Sequence, residues 1–234
     1  MPIEQTVTVD CPQCQAKGQY CLHESFNTQV DPEGAQKALT GEAFAFVCPK
    51  CGAKTYVNHG FLFNDPAQQL MVRYVACEDE IEPAVKMFND IRHAEPNDDN
   101  PAKQLMANLM SQFTLRIVTQ HEEVTEKVAI AKAGYDDRVM ELTKLILGSK
   151  IAVEEKFDFD GVLYLPAQGE QEERIEFSDS KTNRALTVPF ENVRELYRSL
   201  SSQFGDRLQN EYNEDVVINA AWALGLLKKE NELG

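Results

Sequence analysis

The sequence predicts an α+β fold: an N-terminal antiparallel β unit with one inserted short helix, then central helices, then a small C-terminal α+β unit. Three observations support this prediction. Two Cys-Pro-x-Cys motifs each follow a short segment with strand character. Apolar residues adopt helical spacing most regularly in the middle of the chain. Beyond residue 150, strand-like and helical segments follow one another again.

The length of 234 residues fits one or two domains. We expect residues 1–98 to form the β domain and residues 99–150 to continue it with helices and a strand that pack on it. Residues 151–234 are expected to form an acidic C-terminal α+β unit. The loop signal at 95–101, Glu-Pro-Asn-Asp-Asp-Asn-Pro, is the strongest boundary candidate.

Capping and turn residues indicate where the N-terminal helix begins and ends. Asp31 is a good N-cap, Pro32 suits the first helical position and Gly41 follows the end, so a helix is predicted over residues 32–39. Strands are predicted at residues 6–9, 43–47, 55–63 and 70–75.

The middle of the chain carries the clearest helical patterns. Thr119 and Glu122 have capping-box spacing before a helix that Gly134 ends. Asp136 caps a second helix, which Gly148 is expected to close. The remaining predictions are helices at 82–93, 103–110 and 191–204, strands at 113–118, 157–165, 174–177 and 185–188, and an apolar segment at 216–227.

Four of the six cysteines form two pairs with identical spacing, Cys11/Cys14 and Cys48/Cys51. Two residues between cysteines allow a tight turn, a knuckle, to aim both sulfurs at one point, and two knuckles complete the tetrahedral thiolate site that Zn²⁺ prefers. Gly52 can supply the positive φ that such a turn requires, whereas the first knuckle has Gln15 at that place. The sequence therefore predicts a zinc-ribbon-like unit with one structural Zn²⁺ held by all four thiolates.

Other cysteines and histidines leave alternatives open. A single Cys-Pro-x-Cys motif can also be a thiol–disulfide redox centre. Cys21 and His23 could replace a ligand or form a second site, although strand packing is the favoured interpretation. Cys77 is expected to be a buried small hydrophobe. His59 is a weaker ligand candidate, for which a loop role is favoured.

Charge and motif content exclude several classes of function. The net charge is −15, and residues 1–60, 61–150 and 151–234 carry −2, −5 and −8. The negative electrostatic field of such a protein repels phosphates and disfavours binding to nucleic acids or anionic membranes. We find no secretion signal and no apolar run long enough to span a membrane, which predicts a cytoplasmic protein. No phosphate-binding glycine loop, nucleophile elbow or His-Glu-x-x-His motif occurs.

The cysteine motifs and their surroundings resemble the CpXC family, named for paired Cys-Pro-x-Cys motifs. The likeness extends over roughly residues 5–150, with Asn64 where the family usually has His. It rests on residues 25–27, 31–33, 39–41, 46–52, 62–66, 115–119 and 134–139. The resemblance implies a bacterial or archaeal metal-binding domain with Cys11, Cys14, Cys48 and Cys51 as ligands, and it implies no reaction.

A closed four-thiolate site has no open position for substrate, so the sequence favours a non-catalytic protein-binding or adaptor role over an enzyme. The acidic C-terminal unit would then meet a protein partner or a second copy of the chain. One alternative is an enzyme with a site between the ribbon and residues 113–165, using Asp136, Asp137 or Arg138. Another is a thiol redox or zinc-release sensor. Asp158, Asp160, Glu154 and Glu176 could bind a hard cation, but a solvated acidic face is favoured.

Overall fold

The computed structural model describes residues 4–93, 108 and 110–233. It confirms the α+β class, and its chain forms two compact units, Met1–Thr125 and Glu126–Gly234. The division predicted at residues 98 and 150 stays a prediction. The predicted loop at 95–101 lies outside the described residues, as does most of the predicted helix at 103–110. In the described part of the chain, no helix is long and apolar enough to span a bilayer.

Two small hairpins and one larger sheet make up the strands of the first unit. Strand β1 pairs with β2 and β4 pairs with β5, both antiparallel, while the larger sheet has the order β3-β6-β7-β8. The larger sheet is mixed, because β3 runs parallel to β6 and β7 parallel to β8. The strands are β1 Glu4–Asp10, β2 Lys17–His23, β3 Ser25–Asn27, β4 Ala45–Val47, β5 Lys54–Tyr56, β6 Phe61–Asp65, β7 Leu70–Tyr74 and β8 Thr114–Val118.

Two helices of this unit lie close to their predicted positions. Helix α1 is Pro32–Leu39, and the Asp31 carboxylate accepts from the N–H of Gly34 at 2.9 Å, as an N-cap does. Helix α2 is Ile81–Arg92. The single strand predicted over 55–63 is instead two strands in different sheets, β5 and β6. Its apolar alternation is interrupted by Asn58, His59 and Gly60, which form no strand.

Helix α3, His121–Lys132, contains the division between the two units. Its capping differs from the prediction by one residue. The Glu123 carboxylate, rather than that of Glu122, accepts from the backbone N–H groups of Thr119 and Gln120, both at 3.0 Å. The helix begins at His121, so Glu123 stands at the third helical position, where a reciprocal cap belongs.

The second unit combines three helices with an antiparallel sheet in the order β11-β10-β9. Its elements are α4 Asp137–Glu154, β9 Gly161–Leu165, β10 Arg174–Asp179, β11 Arg184–Pro189, α5 Arg194–Glu211 and α6 Ala220–Leu233. The expectation that Gly148 closes α4 is wrong, because the helix continues to Glu154. A Cβ on Gly148 would meet Phe159 at 3.0 Å and Phe177 at 3.3 Å, so this glycine serves close packing rather than termination.

Two apolar clusters form the core of this unit. One lies between α4 and the sheet, around Met140, Tyr164 and Phe177. The other lies among the three helices, around Leu142, Leu208 and Ala223. Trp222, the only tryptophan, packs against the second cluster and donates its indole N–H to Asp215 at 2.6 Å. Its fluorescence therefore reports on the packing of this unit.

Five charged side chains are buried together beside these clusters, and we call them the ionic network: Glu126, Lys127, Asp137, Glu141 and Lys144. Lys144 Nζ lies 2.9 Å from a Glu126 oxygen and 3.0 Å from a Glu141 oxygen. Lys127 Nζ lies 3.0 Å from Asp137 Oδ2 and 3.3 Å from the same Glu141 oxygen. The side chains are only 2–10% exposed, so each charge depends on its partners rather than on water.

This burial predicts how stability depends on alkaline pH. Burial acts to lower the pKa of Lys127 and Lys144, but the facing carboxylates outweigh it and raise the pKa of both above the ordinary 10.5. A raised folded-state pKa contributes stability that is fully present below the unfolded-state value and is lost as the pH rises through the folded-state value. In urea unfolding followed by Trp222 fluorescence, the free energy of unfolding should therefore keep the contribution of the two lysines until the pH exceeds 10.5. A lysine-dependent loss beginning near neutral pH would contradict this.

Candidate metal centre

Each cysteine pair occupies the turn of a short hairpin. Cys11 and Cys14 lie between β1 and β2, and Cys48 and Cys51 lie between β4 and β5. The two knuckles share one backbone pattern. The N–H of the first cysteine donates to the carbonyl five residues later at 2.9 Å in both knuckles. That cysteine's own carbonyl accepts from the N–H four residues later, at 2.8 Å in the first knuckle and 2.9 Å in the second.

The residue after each second cysteine has a positive φ, 58° at Gln15 and 72° at Gly52. Glycine adopts this left-handed conformation without strain, whereas other residues crowd their Cβ against the backbone. Gly52 therefore performs the role that the sequence predicts for it. Gln15 performs the same role in the first knuckle although nothing in its side chain encodes the turn.

We call the two cysteine-bearing hairpins, β1–β2 and β4–β5, the ribbon. Gly52→Ala is expected to lower its free energy of unfolding by about 1–2 kcal/mol, because a Cβ there is strained by the backbone angle alone. A Cβ at this site would meet nothing within 4 Å, so no steric clash contributes. The midpoint of denaturant-induced metal release measures the effect. Gly205→Ala, inside α5 with equally open space, is the matched control and should show no loss. If the two variants released metal at the same denaturant concentration, the role of Gly52 as the residue that supplies the positive φ would be contradicted.

The structure brings the four thiols of Cys11, Cys14, Cys48 and Cys51 together, with every sulfur within 4.8 Å of the others. Cys11 Sγ lies 3.7 Å from Cys51 Sγ, and Cys14 Sγ lies 3.6 Å from Cys48 Sγ. A metal–sulfur bond of about 2.3 Å places neighbouring sulfurs of a tetrahedron about 3.8 Å apart. The thiols are therefore spaced for one tetrahedral ion, and all four are free, since a disulfide would bring two sulfurs to about 2.05 Å.

Hydrogen bonding differs among the thiols. Backbone N–H groups of Cys51 and Lys50 point at the Cys48 sulfur and lower its pKa to about 6. At Cys14 the N–H of Ala16 acts to lower the pKa, but desolvation and the three neighbouring thiols together raise it to about 12. One thiol is thus readily ionised, while another retains its proton as long as no cation balances the accumulating negative charge. This donor set suits a cation that favours thiolates.

The ribbon has only a small apolar core of its own. Cys11 and Cys48 are 2% and 1% exposed and pack with Tyr20 and Phe46. Cys14 is half-buried, and Cys51 is exposed. The sulfurs thus lie at one edge of a thin cluster, where a metal ion would join two hairpins that share few apolar side chains.

The structure places the other candidates elsewhere. Cys77 is exposed at the start of a 3-10 turn, so the prediction of a buried small hydrophobe is wrong. The strand that should have carried it inward, β7, already ends at Tyr74. His59 is half-buried, with its ring centroid 5.3 Å from that of Phe44, and it is not among the clustered potential ligands. Burial lowers the pKa of His59, which keeps the imidazole neutral.

The polar residues predicted for an enzyme site are held in contacts within the second unit. Arg138 pairs with Asp136 at 2.7 Å and donates to the carbonyl of Leu208 at 2.7 Å. Asp137 belongs to the ionic network. In the part of the chain that the structure describes, Asp158, Asp160, Glu154 and Glu176 do not gather into a cluster of potential metal ligands.

Comparison with known proteins agrees with this centre. A family model described as CpXC protein matches residues 9–144, more than half of the chain. The chain belongs to the CpXC family. The predicted resemblance is thereby confirmed, and the matched segment contains all four clustered cysteines of this CpXC protein. No curated protein and no solved structure matches it.

Family membership and the four-cysteine cluster together fit a zinc-binding role for this CpXC protein. The spacing of the cysteines was sufficient to find the cluster. The sequence analysis named Cys21 and His23 but did not place Glu4 with them. In the structure, the three potential ligand atoms of Glu4, Cys21 and His23 lie within 4.8 Å of one another. Pairing of β1 with β2 brings them together, and the sequence gives no indication of that register.

Proposed function

We propose that Cys11, Cys14, Cys48 and Cys51 hold one Zn²⁺ in a closed, structural centre. The observation that carries this proposal is the pair of sulfur separations, 3.6 and 3.7 Å, which match the edges of a zinc–thiolate tetrahedron. Zn²⁺ favours four cysteines in this arrangement over the oxygen-rich sites of Mg²⁺ and Ca²⁺. With four protein ligands, the ion keeps no open position for water or substrate.

When bound, the metal would contribute free energy of folding rather than a reaction. The apolar cluster of the ribbon is small, and its two hairpins meet at the thiols. Structural zinc supplies about 10–16 kcal/mol in small zinc-binding peptides. The surrounding N–H groups of Cys51 and Lys50 stabilise the thiolate of Cys48 and hold its sulfur in place.

Native and denaturing mass spectrometry of the purified full chain tests this directly. We expect one zinc per chain in the native protein, lost on denaturation. A metal-free chain lighter by two protons for each cysteine pair would contradict the proposal, because it would mean disulfides and would favour the thiol redox alternative. A metal other than zinc would also overturn the assignment.

We further propose that the protein acts by binding another protein, with the ribbon as a rigid support. The outer face of the β4–β5 hairpin supports this. Val47 is 59% exposed and Tyr56 is 64% exposed, and Lys54 lies with its ammonium 5.4 Å from the centre of the Tyr56 ring. Large exposed aromatic and aliphatic side chains on a well-held element are typical of binding surfaces.

The chemistry of this face favours a partner segment that combines an apolar side chain with carboxylates. Lys50 and Lys54 lie on the hairpin, and residues 1–60 carry the smallest net negative charge of the three segments compared above. A photo-crosslinking residue in place of Tyr56, compared with one in place of Val153, which is 76% exposed on another element, identifies the contacting protein. With that protein purified, Tyr56→Ala is expected to weaken binding at least about tenfold and Val153→Ala to leave it unchanged.

Two results would contradict a protein-binding role for this face. One is equal binding by the Tyr56→Ala and Val153→Ala variants. The other is hydrolytic, transferase or redox activity of the purified protein that a substitution outside the ribbon abolishes, since this would place an enzyme site elsewhere in the chain.

A further inference from the structure

A second group of potential ligands lies on the solvent face of the β1–β2 hairpin. Glu4 is directly opposite His23 in the register, and Thr6 is opposite Cys21. Cys21 and His23 are two residues apart on β2, so they point to the same face of the ladder. The opposite face carries Tyr20 and Leu22, which pack in the ribbon cluster. The pairing of the strands therefore brings a carboxylate, a thiol and an imidazole together on the solvent side.

The three side chains already contact one another. His23 Nδ1 lies 3.2 Å from Glu4 Oε1, and Cys21 Sγ lies 3.8 Å from Glu4 Oε2. Bond lengths of about 2.0–2.2 Å to nitrogen and oxygen and about 2.3 Å to sulfur give ligand separations of about 3.3–3.7 Å around a tetrahedral ion. One ion can therefore reach all three atoms with small rotations of the side chains and no movement of the strands.

His23 is the best-fixed member of this group. It is half-buried, and its ring lies against that of Phe26, with centroids 5.4 Å apart. Phe26 itself is 3% exposed. A ligand whose ring is held by a buried neighbour loses less conformational entropy when it binds an ion. Glu4 and Cys21 are exposed, so an ion here would remain accessible from solvent.

This group is separate from the four-cysteine centre. The knuckle closes the end of the hairpin where Asp10 pairs with Lys17, whereas Glu4 pairs with His23 at the other end. At about 3.4 Å per residue, Cys21 lies about 14 Å along the strand from Lys17 and His23 about 20 Å. One ion cannot serve both groups, so a metal at each would be a separate binding event.

We propose that Glu4, Cys21 and His23 form a second metal site, open to solvent, for a divalent transition metal ion. Three protein ligands leave at least one coordination position for water or for a donor from another molecule. A mixed thiolate, imidazole and carboxylate set selects borderline ions such as Zn²⁺ or Co²⁺ over Mg²⁺ and Ca²⁺. With fewer ligands and more exposure, the site exchanges its ion more readily than the closed centre does.

Titration with Co²⁺ of the full chain that holds a single zinc, in the four-cysteine centre, tests the site, because thiolate-bound Co²⁺ gives a charge-transfer absorption band that carboxylate-bound Co²⁺ lacks. We expect one equivalent of Co²⁺ to bind with this band. The Cys21→Ser variant should lose the band. His23→Gln and Glu4→Gln should each weaken binding by at least about 100-fold, the upper end of the loss caused by removing a group that only supports a ligand.

Cys77→Ser is the matched control, since Cys77 is equally an exposed thiol but has no such neighbours among the described residues. It should bind Co²⁺ like the wild type. A band of unchanged intensity in Cys21→Ser, with zinc still held in the four-cysteine centre, would overturn the proposal. Co²⁺ binding that lacks the band and is unaffected by all three substitutions would overturn it too. Displacement of zinc from the four-cysteine centre is distinguishable, because its tetrathiolate spectrum would persist in Cys21→Ser. Failure of the second site therefore leaves the structural zinc proposal intact.

Discussion

Replacing Cys51 by serine is expected to remove the metal and unfold the two hairpins of the ribbon, while the unit Glu126–Gly234 keeps its structure. Cys51 is exposed, so without a bound ion this nearly isosteric change would alter stability by no more than about 0.5 kcal/mol. A fourth thiolate to a structural zinc is worth several times that amount, because binding energy and folding energy are the same quantity in such units. Cys14→Ser should likewise lose the metal and unfold the two hairpins.

Metal content by native mass spectrometry and hydrogen exchange by peptide measure the two parts of this expectation. Peptides covering β1, β2, β4 and β5 should lose protection, whereas peptides of α4 and α5 should not. Cys77→Ser, which removes another exposed thiol, should retain metal and protection. Full metal content and a wild-type melting profile in both Cys14→Ser and Cys51→Ser would refute the ligand assignment.

Lys144→Met is expected to destabilise the second unit by about 3–5 kcal/mol, the cost of leaving a buried charge without its partner. Within the ionic network, Lys144 bridges Glu126 and Glu141, and Glu126 also accepts from the N–H of Tyr164 at 2.6 Å. Without the ammonium, two buried carboxylates face each other with Lys127 as the only cation left in the network. Methionine keeps the length of the side chain, so the loss of the charge dominates.

Urea unfolding followed by Trp222 fluorescence measures this loss, because Trp222 packs in the helical cluster of the same unit. Lys150→Met on the same helix is the control, since Lys150 is exposed and its removal should change stability by at most about 0.5 kcal/mol. If Lys144→Met unfolded at the wild-type urea concentration, the network would contribute no net stability.

Sequence reasoning located the elements whose signals are local. The caps at Asp31 and Asp136 and the paired cysteines depend on residues a few positions apart, and each lies where it was predicted to lie. Features decided by distant residues were missed. In the sequence, Gly148 is typical of a helix end. In the structure it allows close packing against Phe159 and Phe177, which lie outside its helix. The ionic network was missed for the same reason, because its charges meet only when α3 packs against α4.

The two knuckles also imply an order of assembly. Within each knuckle the cysteines are three positions apart and the turn is closed by its own hydrogen bonds, so either hairpin can capture an ion through two sulfurs without the other. Joining both halves requires closing the 33 residues between Cys14 and Cys48, at an entropic cost of about 3 kcal/mol. Zinc should accordingly load and leave in two steps, through a half-coordinated species in which one hairpin is metallated and the other is free, and chelators that supply two donors at once should intercept that species most efficiently.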